Sequence, residues 1–287
     1  MTLIAAGVST ADVLMRENNY FRLLEFPFVP GRELIGFTQD GRRVAGFTSE
    51  GAYAEKVAVR RSLLWEVPDE LDHDEACALT LDGQIAWHLL HTALAIRKHE
   101  TIIIPNAASA VGIYATQLAK LAGCRVIAMD SGDLRLQIAR DLKADAVVDY
   151  TDTEGLADRI REAAGGHIDA AIDMTGDEAI FAATLDALGF RGRMVIDGSS
   201  SPRKGAISRD ALVTGSKSIC GFWLPPLFND LHAMGNAMQT IFEMAAIGAL
   251  KTPEYTRYPL EQAESAHRAL AAGFPGKIIL NPRQYWY

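Results

Sequence analysis

From Thr101 to Gly221 the chain alternates short apolar runs with helical stretches, and no other feature restricts its fold so much. Strands are expected at Thr101–Ile104, Arg125–Met129, Ala146–Val148, Ala170–Asp173, Arg193–Asp197 and Ser218–Gly221. Helices are expected at Val111–Ala122, Leu134–Leu142, Gly155–Ala164 and Glu178–Leu188, with another between Leu231 and Ile247. Strands this short and apolar, separated by helices, belong to a parallel sheet buried on both faces. The flanks differ. Residues 1–84 are rich in Gly, Pro and brief apolar runs, and "RRVAGFTSEGAYAEKVAV" reads as two short strands joined by a Gly-containing turn. From Asp74 the pattern turns helical. Near the other end "YPLEQAESAHRALAAG" reads as a helix and "GKIIL" as a strand. The expected architecture is α/β: a doubly wound parallel sheet at 85–251, inserted in a smaller β-rich domain made of 1–84 and 252–287.

The stretch "IIIPNAASAVGIYATQLAKLAGCRVIAMD" then carries the chemistry. A buried strand, a tight turn, a helix, a second strand and a terminal acid form the plan of a Rossmann dinucleotide-binding unit. Such turns are usually glycine-rich, and this one keeps only Gly112, with Ser109 and Ala110 where glycines are common. Phosphate is held there by backbone N–H groups and the positive end of the helix, so Ala107, Ser109, Ala110 and Val111 can serve. Gly112 lets helix approach strand. Asp130 ends the second strand, where an acid accepts hydrogen bonds from a ribose 2′-OH and repels a 2′-phosphate. The bland alternative is a βαβ unit that only packs its helix closely.

Composition excludes other classes. With 287 residues, 49% of them hydrophobic, the chain can bury a large core. The formal charge is 28 − 36 = −8 with no Lys/Arg block, so there is no footprint for nucleic acid or anionic lipid. Cys77, Cys124 and Cys220 suggest neither a disulfide framework nor a CxxC zinc pattern. "MTLIAAGVSTADVL" has no basic start and meets Asp12 early, unlike a signal peptide, and no run reaches the length of a membrane span. A cytoplasmic protein with a small-molecule substrate is expected, bound to neither membrane nor nucleic acid.

The segments "AAGVSTADVLMRENNY", "FPFVPGRELIG", "GAYAEKVAV", "ETIIIPNAASAVG", "VIDGSSS", "GFWLPP" and "GKIIL", in this order, resemble the medium-chain dehydrogenase/reductase superfamily. They are most similar to its zinc-free quinone oxidoreductases and 2-enoyl thioester reductases. The resemblance implies a GroES-like smaller domain, here shortened at its N-terminus because Met1 sits almost at the "AAGV" segment. It also implies a homodimer and a nicotinamide cofactor, NAD(H) or NADP(H), used to reduce an activated C=C bond. Tyr20 matches a tyrosine that aids proton donation. Ile85, Phe222, Trp223 and Leu224 match the substrate pocket. Gly176, Gly198, Ser199, Arg135, Tyr150 and Lys277 match cofactor-side positions. Tyr20 reads equally as an ordinary loop tyrosine, and Tyr150 and Lys277 as snorkelling surface residues. Asp130 favours NADH, whereas Arg135 favours NADPH; on balance NADH is expected. Ser9 and Arg32 stand where relatives carry zinc ligands, so no zinc is expected.

Two departures remain. Ile85 replaces a threonine common in relatives, and His99 replaces a glycine common before Thr101. Three functions are compatible with the sequence: a reductase of an enone, quinone or enoyl thioester, a non-redox cyclase or isomerase on this scaffold, and a binding protein. For the reductase, the reaction is expected in a cleft between the domains, beyond the carboxyl ends of the strands.

Overall fold

Ile102, Ile103 and Ile104 are wholly buried in a computed structural model that describes residues 1–21, 25–197 and 207–282. They lie in a six-stranded sheet ordered Ser218–Phe222, Arg193–Asp197, Ala170–Asp173, Thr101–Pro105, Arg125–Asp130, Ala146–Asp149. Every neighbouring pair is parallel. The first strand in sequence lies inside, and the chain winds outward to either side, so strand order reverses beside Thr101–Pro105. Alternate side chains serve opposite faces. Ile127 and Met129 pack with Leu156, Ile160 and Leu185, whereas Ala128 packs with Ala107 and Ala139. This unit spans Ala86–Trp223. Its strands and helices fall where the sequence places them, each boundary within one residue. The sequence pattern did not reveal the helix Arg209–Gly215 or the π-helical His88–Ala93.

The other unit joins Met1–Ile85 to Leu224–Tyr287. Its sheet runs Tyr255–Pro259, Lys277–Asn281, Thr2–Val8, Glu33–Phe37, Arg43–Phe47, Leu64–Glu66. All pairs are antiparallel except Tyr255–Pro259 with Lys277–Asn281. Leu3, Ala6, Val8, Leu34, Ile278 and Leu280 bury one face with Ala266.

Three expectations are corrected here. The second half of "RRVAGFTSEGAYAEKVAV" forms no strand; its only ladder contact is an isolated bridge from Thr2 to Lys56. The helix expected from Tyr258 begins at Ala263, because Tyr255–Pro259 is drawn into the sheet by Lys277–Asn281. The helix Leu231–Ala246 groups with the terminal segments, not with the parallel sheet. There Gln84 donates to the Met234 carbonyl at 2.9 Å.

Candidate cofactor and active site

The turn after Thr101–Pro105 is closed by side chains. Asn106 adopts φ +53°, a left-handed conformation that Asn tolerates better than most residues. Ser109 Oγ donates to the Asn106 carbonyl at 2.8 Å and accepts from the Gly112 N–H at 3.1 Å. The hydroxyl thus caps the helix Ala110–Leu121. The Ala107 N–H is taken by the Met129 carbonyl and the Ala108 N–H by Asp130 Oδ2, at 3.1 and 2.8 Å. Among the described residues none accepts from the Ala110 or Val111 N–H. Two free donors at the positive end of a helix form an anion site. A Cβ on Gly112 would stand 2.3 Å from the Asn106 oxygen and 2.8 Å from Ala107 Cα. The cradle fits a pyrophosphate, and only glycine fits the position that closes it.

Asp130 does not stand free as the sequence suggests. It is fully buried, and both carboxylate oxygens are occupied. Arg135 Nε donates to Oδ1 at 2.6 Å and Nη2 to Oδ2 at 3.2 Å. The Ser131 N–H reaches Oδ1 at 2.9 Å, and the Tyr150 hydroxyl at 3.4 Å. Arg135 Nη2 also holds Asn106 Oδ1 at 2.5 Å, which joins the turn to the end of the second strand. Burial and the Asp130 charge push the Tyr150 phenol up, so it stays a proton-bearing donor. The structure therefore brings the turn, Asp130, Arg135 and Tyr150 together. Asn106 was missed; an Asn directly after a strand, where the chain must turn, was the available signal.

Gly176, at φ +63°, donates its N–H to Asp173 Oδ1 at 3.3 Å, at the carboxyl end of the strand Ala170–Asp173. Gly198 and Ser199 lie outside the described residues. Phe222 is buried and stacks on His88 with centroids 6.2 Å apart, while Trp223 is exposed. His99 adopts φ +72°, a conformation natural to the glycine it replaces.

Tyr20, Ile85, Leu224 and Lys277 belong to the other unit. Ile85 and Leu224 are buried. The Tyr20 hydroxyl accepts from Arg32 Nη1 at 3.1 Å. Lys277 is no surface residue: its side chain is 1% exposed, and Nζ lies 2.6 Å from both Glu33 Oε2 and Asp82 Oδ2. Burial alone would lower the Lys277 amine, but Asp82 and Glu33 together raise it. Burial and the Asp82 charge push the Glu33 carboxyl up to about 7 against the pull of Lys277.

Zinc does not fit the positions where relatives carry ligands. Ser9 Oγ donates to Asp12 at 2.7 Å, and Arg32 brings a cation. Among the described residues no three His, Cys, Asp or Glu side chains are grouped so as to hold a metal ion. Among them, too, no helix is long and apolar enough to cross a membrane.

The family model described as zinc-binding dehydrogenase matches residues 110–241. A quinone oxidoreductase-like protein 2 homolog of Nematostella vectensis is 25% identical over 296 residues, covering 98% of this chain and 80% of that protein. A mycocerosic acid synthase-like polyketide synthase of Mycobacterium tuberculosis is 28% identical over 98% of this chain, a match spanning 14% of that protein. The quinone oxidoreductase of Thermus thermophilus, whose crystal structures include a complex with NADPH, superimposes with a TM-score of 0.85 at 29% identity, covering 98% of this chain and 90% of that one. With a six-stranded parallel sheet in one unit and a β-rich sheet in the other, these likenesses are to the medium-chain dehydrogenase/reductase fold. Within that superfamily the resemblance is to the quinone oxidoreductase-like branch.

Proposed function

We propose that the protein is an NADPH-dependent reductase of an activated C=C bond, in an enone, a quinone or an enoyl thioester. The observation that carries this is the phosphate cradle with Arg135 fixed beside it. Asp130, taken alone, argues for NADH; paired and buried, it repels no 2′-phosphate, and its partner Arg135 is a cation suited to one. The NADPH complex of the Thermus thermophilus relative supports the same choice.

The Ala110 and Val111 N–H groups would hold the pyrophosphate, and Arg135 with Tyr150 the 2′-phosphate end. When bound, the cofactor supplies a hydride to the β-carbon of an α,β-unsaturated carbonyl. Ile85, Phe222, Trp223 and Leu224 provide apolar surface for the substrate. Tyr20 stabilises the resulting enolate by hydrogen bonding and returns a proton to it. None of these roles calls on zinc. We place the protein in the cytoplasm as a homodimer; the Ser218–Phe222 strand, at the sheet edge with Ser218, Cys220 and Gly221 exposed, supports self-association. Sedimentation at the mass of one chain would exclude the dimer.

The test has two stages. Fluorescence titration should show NADPH binding more tightly than NADH. Turnover should then appear with an enone, a quinone or an enoyl thioester, and Tyr20→Phe should cut kcat by about 10²–10⁴-fold. A protein that binds neither cofactor is not this reductase, and the non-redox reading takes its place.

A further inference from the structure

Asp130 is more heavily bound than an acid waiting for a ribose. Its carboxylate is wholly buried and crowded with donors. The Ala108 N–H, in the phosphate turn, reaches Oδ2 at 2.8 Å, and the Ser131 N–H reaches Oδ1 at 2.9 Å. Arg135 Nε and Nη2 donate to Oδ1 and Oδ2 at 2.6 and 3.2 Å, and the Tyr150 hydroxyl lies 3.4 Å from Oδ1. Arg135 Nη2 goes on to Asn106 Oδ1 at 2.5 Å, at the first residue of the turn. Asn106, Ala107, Ala108, Asp130 and Arg135 therefore close a ring, part covalent and part hydrogen-bonded. All of it lies within the Ala86–Trp223 unit.

We propose that Asp130 keeps its hold on the turn when the dinucleotide enters, and is a positioning residue that shapes the cradle, not the acid that receives the ribose. This rests on the reading of the turn as the pyrophosphate site. To reach a ribose hydroxyl the carboxylate would have to give up donors that it now satisfies. Ala108 is wholly buried, so its N–H would find no water in exchange. The two guanidinium bonds are charge-assisted, and one neutral hydroxyl does not replace them. Held in place, the carboxylate does two things. It occupies the Ala108 N–H, as the Met129 carbonyl occupies that of Ala107, so the turn offers a phosphate the Ala110 and Val111 N–H groups. It also sets the plane of Arg135, which through Asn106 Oδ1 fixes the left-handed residue where the turn begins. Removing an acid from this strand end ordinarily improves NADPH binding, by removing a charge that repels the 2′-phosphate. Here the same change opens the ring and costs NADPH affinity.

The experiment is an amide NMR titration of the isotope-labelled full-length protein with NADPH, followed by binding measurements on variants. The Ala110 and Val111 amide signals should move, and the Ala108 amide should keep its position and its slow exchange. An Ala108 amide that moves with them, or becomes fast to exchange, overturns the proposal, because Asp130 has then let go. Asp130→Asn should raise Kd for NADPH by about tenfold or more. Unchanged or tighter NADPH binding overturns the proposal and restores the acid as a repeller of the 2′-phosphate. Asn106→Gly cuts the ring at its other contact, strands no charge and leaves a residue at ease at φ +53°. It should raise Kd for NADPH about threefold or more in the otherwise wild-type protein and less than about twofold in the Asp130→Asn background, since an open ring has little left to lose. Equal factors in both backgrounds overturn the proposal. If Asp130→Asn does not fold, the Ala108 signal and Asn106→Gly carry the test, and no loss from Asn106→Gly overturns the proposal. A wild type that binds no dinucleotide overturns the proposed function and this proposal together. One that binds NADPH with a displaced Ala108 signal overturns this proposal alone.

Discussion

Arg135 grips Asp130 at both oxygens, Nε 2.6 Å from Oδ1 and Nη2 3.2 Å from Oδ2, and the carboxylate is wholly buried. An acid at the end of this strand would ordinarily be counted against NADPH. The pairing removes that objection, because a buried carboxylate neutralised by Arg135 no longer repels a 2′-phosphate. Arg135→Met is expected to raise Kd for NADPH at least about tenfold more than Kd for NADH, by titration. It also strands a buried carboxylate, so urea denaturation should show a loss of about 3–5 kcal/mol.

Gly112→Val tests the cradle. The added carbons meet backbone at 2.3 and 2.8 Å, so strand and helix must move apart. Cofactor binding should fall below detection, and stability by about 1–3 kcal/mol. Unchanged affinity would place the pyrophosphate elsewhere.

Ser109→Ala separates capping from binding. It removes the acceptor for the Gly112 N–H and should cost about 1 kcal/mol in denaturation. It also leaves a third N–H open at the helix end, so NADPH affinity should fall no more than about threefold.

The buried Lys277, Glu33 and Asp82 cluster makes stability depend on pH. The Glu33 carboxyl is raised from 4.5 to about 7, so the folded state binds its proton more tightly than the unfolded chain. That contribution is complete below about 4.5 and is lost as pH rises through about 7. It amounts to roughly 3 kcal/mol, from 1.36 kcal/mol per pKa unit. Unfolding free energy measured from pH 5 to pH 8 should carry this falling component, and Glu33→Gln should abolish it.

His99→Gly should stabilise the fold by about 0.5–1 kcal/mol, since φ +72° is strained for histidine and easy for glycine. A drop in Tm would show that the imidazole makes a compensating contact.

Why the parallel sheet could be read from sequence and the other sheet only in part is a matter of burial. Ile102–Ile104 and Val126–Met129 are covered on both faces and appear as unbroken apolar runs. Tyr255–Pro259, by contrast, is half exposed and owes its extended form to Lys277–Asn281, a partner that no local pattern announces. The site divides the same way. The turn and Asp130 follow from spacing within one βαβ unit, whereas Arg135 comes from the family resemblance. The burial of Lys277 depends on Glu33 and Asp82, which are far away in sequence, and the Arg32–Tyr20 contact depends on where a loop returns.

The strand Thr2–Val8 has Glu33–Phe37 on one side and Lys277–Asn281 on the other. During synthesis the first partner emerges before the parallel sheet and the second only after it. Meanwhile all six strands of the parallel sheet, from Thr101 to Phe222, are already complete. The nascent chain therefore carries a finished α/β unit while an apolar strand near its start still has one open hydrogen-bonding edge. That edge is the place where a chaperone, or a neighbouring nascent chain, would attach first.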